Sequence, residues 1–440
     1  MNPPDGRRSR LNLMLRAFKY RNYRLFFGGQ CVSLIGTWMQ SVALSWLVYR
    51  MTGSALLLGV AGFASQAPSL LLAPFTGPAA DRFDRRRIML VTQSLSMLQA
   101  LALALLVTFG SPQVWQIVAL AALAGMINAF DMPARQAFVI QLVEKREDLA
   151  NAIALNSSMF NSARLIGPAV AGLLIAALGE QVCFFINAVS YAAVIAALLA
   201  MRLPPARPPA PGVRRRGGFV AGLRYAWGFA PIRYILLMMA VGSLLGMPYA
   251  VLMPAYVREI LGGGPRTLGF IMTCSGVGAL LGALRLAGRR HPAGLERALP
   301  LFTGLFGLGL LAFSFSASFP VSAVCIACAS FGMISFMASG NTVVQTLVDE
   351  DKRGRVMALH SVAFMGMAPF GSLLAGWAAS HIGVARTISL NGLLVLAATA
   401  FFSTRLKEIS RHAEPVYTRL GMAGETAGEL AEAEHAERPV

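Results

Sequence analysis

Gly77-Pro-Ala-Ala-Asp-Arg-Phe-Asp-Arg-Arg-Arg87 joins two long apolar runs, roughly 54–78 and 88–109. Each is long enough to cross a bilayer as a helix, which takes about 20 apolar residues. A tight, strongly basic turn between two such runs stays in water on the cytoplasmic side, where Lys and Arg are retained. Gly77 has no side chain, so close approach of the neighbouring helices is expected there. Asp81 sits where the run meets water, and its carboxylate is placed to accept bonds from arginines or from helix N-terminal amides.

Further apolar runs lie near 25–49, 113–133, 150–178 and 182–200, then near 232–256, 267–288, 298–317, 320–345, 356–380 and 385–404. Twelve spans result, six on each side of a polar break. The expected organisation is a basic tail over 1–24, a six-helix half over 25–200 and a Pro/Arg-rich linker over 201–231. A second six-helix half covers 232–404 and a tail 405–440. Of the 440 residues 56% are hydrophobic and 13% charged, with mean hydropathy +0.61; a soluble protein of this size is less apolar.

A net charge of +18 raises nucleic acid as a partner, but the placement of the charge argues against it. Nearly all Lys and Arg fall in the two tails and the loops at 79–87, 134–149, 201–231, 285–297 and 346–355. The intervening loops carry essentially Arg50, Arg258, Arg266 and Arg386. This alternation is topogenic and places both termini in the cytoplasm. The N-terminus lacks the short apolar core of a removable signal peptide. In the linker, five prolines and Arg214-Arg215-Arg216 suit an anionic inner leaflet, and Phe219 to Trp227 suits a surface amphipathic helix. The acidic, Ala-rich chain end reads as a solvated, disordered tail.

The halves repeat. Ala154-Leu155, Ser157, Phe160, Gly167, Ala171 and Gly172 recur at constant spacing as Ala358-Leu359, Ser361, Phe364, Gly371, Ala375 and Gly376. Gly77 and Arg85 align with Gly282 and Arg290, although the second copy lacks the Asp81-Arg82 pair. Rocking-bundle transporters are built this way, with substrate at the seam; a duplicated channel or membrane enzyme leaves similar traces.

Arg164 lies about 14 residues, or roughly 21 Å, into the fifth run. A charge at that depth costs at least ~2.5 kcal/mol unless it faces a wet cavity or a partner. Asn156 and Asn161 fall within about 60–80° of it around a helix. Either this strip lines a cavity, with Arg164 meeting an anionic or catechol-like group, or Arg164 caps carbonyls of a neighbouring helix. In the first run Gln30, Ser33, Thr37, Gln40, Ser41 and Ser45 form a polar stripe that suits cavity lining or interhelical hydrogen bonding. Tyr249, Asn341, Gln345 and His360 are candidates in the second half, although each alone is more often a satisfied packing residue. Asp131 ends the fourth run at the membrane edge. With no carboxylate deeper, only Asp131 and His360 offer titratable groups for proton coupling. Cys325-x-x-Cys328 has no further metal-ligating residue near it in sequence and reads as packing. No Walker A sequence, metal set or nucleophile–base pair appears, so neither cofactor, metal nor enzymatic activity is expected.

Gly77-x-x-x-Asp81-Arg82-x-x-Arg85-Arg86 resembles the signature loop between helices 2 and 3 of the major facilitator superfamily. Ala163-x-x-x-Gly167-Pro168-x-x-Ala171-Gly172 resembles the helix 5 motif of its proton-coupled exporters, with two glycines replaced by alanine. Gly36-Thr-Trp-Met-Gln40, Leu47-Val-Tyr-Arg-Met-Thr-Gly-Ser-Ala55 and Asp131-Met-Pro-Ala-Arg-Gln136 resemble the bacterial branch containing the enterobactin exporter. The likeness covers about 20–405. It implies an all-α integral membrane protein, twelve transmembrane helices in two pseudo-symmetric six-helix bundles. It further implies a monomeric inner-membrane exporter of siderophores or amphipathic drugs, working by alternating access and proton antiport. Gly77, Asp81, Arg82, Arg85 and Asp131 would form a cytoplasmic latch, with Gly167 and Pro168 as gating positions. Two rivals are a lipid or lysophospholipid carrier between leaflets and a non-transporting receptor or assembly protein with a carrier fold.

Overall fold

The computed structural model describes residues 15–202, 219–288 and 293–420. Twelve helices are long and apolar enough to cross a membrane, and no strand occurs among the described residues. They are α1 (Arg21–Thr52), α2 (Ala55–Arg82), α3 (Arg85–Phe109), α4 (Val114–Gln141), α5 (Leu149–Leu178) and α6 (Glu180–Ala200). The second series is α7 (Ala230–Glu259), α8 (Pro265–Ala287), α9 (Leu295–Ser314), α10 (Phe319–Leu347), α11 (Arg353–Ile382) and α12 (Val384–Thr404).

Local chemistry sets the corners. Gly179 (φ 88°) and Gly383 (φ 87°) make equivalent one-residue corners, α5–α6 and α11–α12, in a region of backbone space that favours glycine. Between α2 and α3 the connection is shorter than the basic stretch suggests. α2 continues to Arg82 and only Phe83-Asp84 remain as turn. Asp84, not Asp81, caps α3, accepting from the amides of Arg86 (2.8 Å) and Arg87 (3.3 Å). Asp81's side chain lies outside the described residues. The close approach expected at Gly77 is not seen: an added Cβ there meets nothing within 4 Å among the described residues. Its repeat counterpart Gly282 does lie against α10, where a Cβ would be 2.8 Å from the Phe331 carbonyl oxygen.

Two spans depart from α geometry. α7 contains a π-turn at Gly242–Gly246 and α11 one at Val362–Gly366. Pro248 has no N–H to bond the Leu244 carbonyl, and the turn before it widens so that Met247 N–H bonds Gly242. The two π-turns meet through a hydrogen bond from the Ser243 hydroxyl to the Phe364 carbonyl.

Compact packing gives two units. The first holds residues 15–202 with 253–273, the second 219–252 with 274–420. In the first, α1 packs on α5 and α6, α3 on α4 and α6, and α2 on α4. The second repeats this with α7 on α11 and α12, and α9 on α10 and α12. Residues 253–273 join the first unit because α5 and α8 cross at glycines: a Cβ on Gly172 would lie 2.9 Å from Gly269 Cα. The Tyr49 hydroxyl also donates to Glu259.

Each unit has a basic clasp outside its spans. In the first, Tyr20 donates to Asp148 (2.8 Å), which also pairs with Lys19. In the second, Tyr225, on a helix at Phe219–Gly228, donates to Asp349 (3.1 Å), which pairs with Lys352 (3.2 Å). The C-terminal tail, expected to be disordered from residue 405, instead begins with a helix at Leu406–Arg419. It docks by burying Ile409, Ala413 and Tyr417, the last donating to Glu296 (2.9 Å). Apolar residues at four-residue steps outweigh the polar composition of that segment. Residues 421–440, and the linker arginines at 214–216, lie outside the described residues.

Candidate functional site

The first unit holds a recess of about 350 Å³ between α1, α3 and α4, within the size range of small-molecule sites. It extends from Ala121 to Arg135 along α4, roughly 21 Å of helix. Its rim includes the exposed Thr37, Ser41 and Phe160, and its floor is made of buried amides and one ion pair. Close packing fixes one wall: a Cβ on Gly167 would lie 2.5 Å from Trp38 Cβ, so only glycine lets α5 sit against α1 here. Pro168, buried beside it, leaves the Arg164 carbonyl without its helical bond.

Asp131 is the buried charge of the recess. The sequence places it at the edge of the fourth apolar run, within residues 128–136. α4 instead runs through Pro133 to Gln141, which places Asp131 ten residues inside the helix. It is 5% exposed. Its Oδ1 accepts from the Thr92 hydroxyl and from Gln93 Nε2, both at 2.8 Å, and its Oδ2 lies 3.5 Å from Arg135 Nε. Arg135 also donates to Gln30 Oε1 (3.3 Å). These contacts meet the buried carboxylate with two hydrogen-bond donors and one neighbouring cation. Higher along the helices, Asn187 donates to Gln40 (2.8 Å), Gln40 to Gln99 (3.0 Å), and Gln99 to the Leu120 carbonyl. This amide chain ties α6, α1, α3 and α4 together. Two buried amide atoms beside the ion pair, Gln30 Nε2 and Gln93 Oε1, have no hydrogen-bond partner among the described residues.

Of the residues singled out from sequence, Thr37 lines the recess and hydrogen-bonds Tyr191 (3.3 Å), while Gln30 reaches it through Arg135. Arg164 lies behind the wall, its guanidinium 5.9 Å from the Trp38 ring. Trp38 in turn meets Phe160 edge-on at 6.0 Å. Among the described residues no carboxylate pairs with Arg164. Asn156 is half-buried on α5, and Asn161 is turned back onto the Ser157 carbonyl. The other unit holds Tyr249, buried with Ser275 (3.0 Å) and Ser330 (3.1 Å), and Asn341, which accepts from Gln345.

Of the residues of the expected latch, Asp81's side chain lies outside the described residues. Arg85 donates to the carbonyls of Ala80 (3.4 Å) and Ala137 (3.3 Å), acting as a cap on α2 and α4. Arg82 is exposed over the Phe83 ring. Asp131 is engaged by α3 and by Arg135 on its own helix. Sequence reading missed Gln93, Gln99, Arg135 and Asn187; the cue available was a glutamine at 93 and 99, polar residues inside an apolar run.

The described residues hold no cluster of metal-ligating side chains. Residues 14–422 match the family described as transmembrane secretion effector. Among curated proteins, the staphyloferrin A transporter of Staphylococcus aureus is 27% identical over 86% of this chain and 95% of its own length. The multidrug efflux pump Tap of Mycolicibacterium fortuitum is 29% identical over the same shares. A solved bacterial homologue of the lysosomal transporter Spinster covers 89% of this chain and 98% of its own, with a TM-score of 0.69 at 14% identity, which shows a shared fold. Matched along almost its whole length and built as two repeated sets of six spans, this chain belongs to the transmembrane secretion effector family of the major facilitator superfamily, membrane transporters and not enzymes.

Proposed function

We propose that this protein exports anionic, oxygen-rich amphipathic molecules, siderophores foremost, across a bacterial inner membrane in exchange for protons. It works as a monomer by alternating access, with both termini in the cytoplasm. One observation carries the substrate class: Arg164 is a cation that pairs with no carboxylate among the described residues, behind the aromatic wall of a recess whose lining carboxylate, Asp131, is already engaged. A cationic drug finds no unbonded acid there, whereas an anion finds Arg135 and a floor of amides, with Arg164 behind the aromatic wall. The staphyloferrin A transporter among its relatives supports the siderophore reading, and the Tap pumps keep drugs as the competing cargo.

Proton coupling is assigned to Asp131. Protonation removes its charge and weakens its hold on Arg135 and on Thr92 and Gln93 of α3, so a proton taken up after the cargo has left would loosen the α3–α4 contact and favour the return of the empty carrier. The end of α2 that carries Gly77, Asp81 and Arg82, with Arg85 as a cap, would close the cytoplasmic side as the halves rock.

Uptake into inverted membrane vesicles tests both parts, comparing staphyloferrin A, a catecholate siderophore and a cationic dye with and without a pH gradient. Gradient-dependent siderophore accumulation is expected, reduced about tenfold in Arg164→Ala with dye transport little changed. Equal loss of both cargoes would make Arg164 a structural residue, and accumulation indifferent to the gradient would remove proton antiport.

A further inference from the structure

We infer that the groove between α7 and α12, at the end where both carry arginine, binds the headgroup phosphate of an anionic phospholipid. Arg233 opens α7 and Arg405 closes α12, and the two helices pack together. The Tyr234 ring lies between them, with the Arg233 guanidinium 4.6 Å and that of Arg405 6.0 Å from its centroid. Arg233 is committed, donating to the Trp227 carbonyl (3.0 Å) and pairing with Glu408 (3.6 Å). Arg405 stacks at 5.4 Å on Phe401 and is exposed, and among the described residues no carboxylate pairs with it.

One helical turn deeper the surface becomes apolar. Leu237, four residues after Arg233, is 41% exposed, and Phe401, four before Arg405, is 54% exposed. Trp227, 57% exposed, stands at the level of the cations, where aromatic residues mark the membrane interface. The docked C-terminal helix adds exposed Lys407 and Arg411 on the aqueous side. Cations at headgroup depth above apolar side chains at acyl depth match both ends of a lipid. A free phosphate would use only the cations. Counting Arg233, Arg405 and Lys407 against Glu408 leaves a surplus of positive charge for the phosphodiester.

Native mass spectrometry of the purified full-length protein, titrated with phosphatidylglycerol or phosphatidylcholine, tests this site. Phosphatidylglycerol is expected to bind about fivefold more tightly, the effect of one basic residue at an anionic surface. Arg405→Gln should abolish the preference and Arg405→Lys retain it. Arg386→Gln, at the other end of α12, should leave it intact. Equal binding of the two lipids by the wild type, or a preference that survives Arg405→Gln, would overturn the assignment. Displacement of phosphatidylglycerol by inorganic phosphate at equal concentration would overturn it in favour of a free anion.

Discussion

At the scale of single residues, Asp131 has the largest energetic consequence. Its partners on α3 and α4 offset the cost of burying a charge, and loss of one member strands the other. Asp131→Asn leaves Arg135 without a carboxylate in a largely buried place, and breaking such pairs costs on the order of 3 kcal/mol. The thermal midpoint of the purified variant should fall by several degrees, and Arg135→Gln in the same chain should restore part of the loss. A single variant as stable as wild type would mean that the pair contributes no net stability. Transport by Asp131→Asn should lose its response to the pH gradient. Only part of this was legible beforehand. Thr37 and Gln30 stand out as polar residues in an apolar stripe, and Arg164 as a charge at depth. Asp131's partners do not, because Thr92 and Gln93 lie 39 and 38 residues away in sequence. Asn187 lies 147 residues from Gln40. Hydropathy reports that a side chain is polar, not which helix it will face.

Between elements, contact depends on what glycine permits and what the clasps tie down. At the α5–α8 crossing, Gly172→Val would place carbon 2.7 Å from the Pro265 carbonyl oxygen, where neither backbone can yield cheaply. Overpacking of this kind costs about 1–3 kcal/mol. Cysteines introduced at Leu165 and Thr273, joined here by a 3.4 Å hydrogen bond, should cross-link readily in the parent and poorly with Gly172→Val. Undiminished cross-linking would show that the helices accommodate the bulk. The clasp at Asp148 responds to pH instead. Its hydrogen bond with Lys19, then that with Tyr20, holds the carboxyl below its ordinary value. A depressed acid stabilises the fold above its unfolded pKa and loses that contribution as pH falls through the folded one. The gap in thermal midpoint between wild type and Asp148→Asn should therefore be constant from about pH 5 to 8 and close as pH drops below about 4. Helix ends were less legible than helices. An apolar run stops at the first charges, but α2 and α4 continue through Asp81-Arg82 and Pro133, because a helix end beyond the bilayer can project into water.

For the whole molecule, twelve spans and their duplication were readable because a bilayer imposes one length and one polarity on every crossing. Which stretches share a compact unit was not readable, since the α5–α8 crossing depends on the spatial meeting of Gly172 and Gly269. Orientation rests on charge alone: basic residues crowd one set of connections, and a potential across the membrane retains them on the inner side. In a variant whose five cysteines are replaced by serine, a single cysteine at Ser111, in the α3–α4 connection, should react with a membrane-impermeant maleimide in intact spheroplasts. One at Glu350, in the basic α10–α11 connection, should react only after permeabilisation. The opposite pattern would place the arginine-rich loops outside. It would also turn the recess and its Asp131–Arg135 pair to the other face of the membrane and make import the direction to test. Labelling at both positions in sealed spheroplasts would mean that the chain inserts in two orientations, and neither direction of transport would then follow from charge.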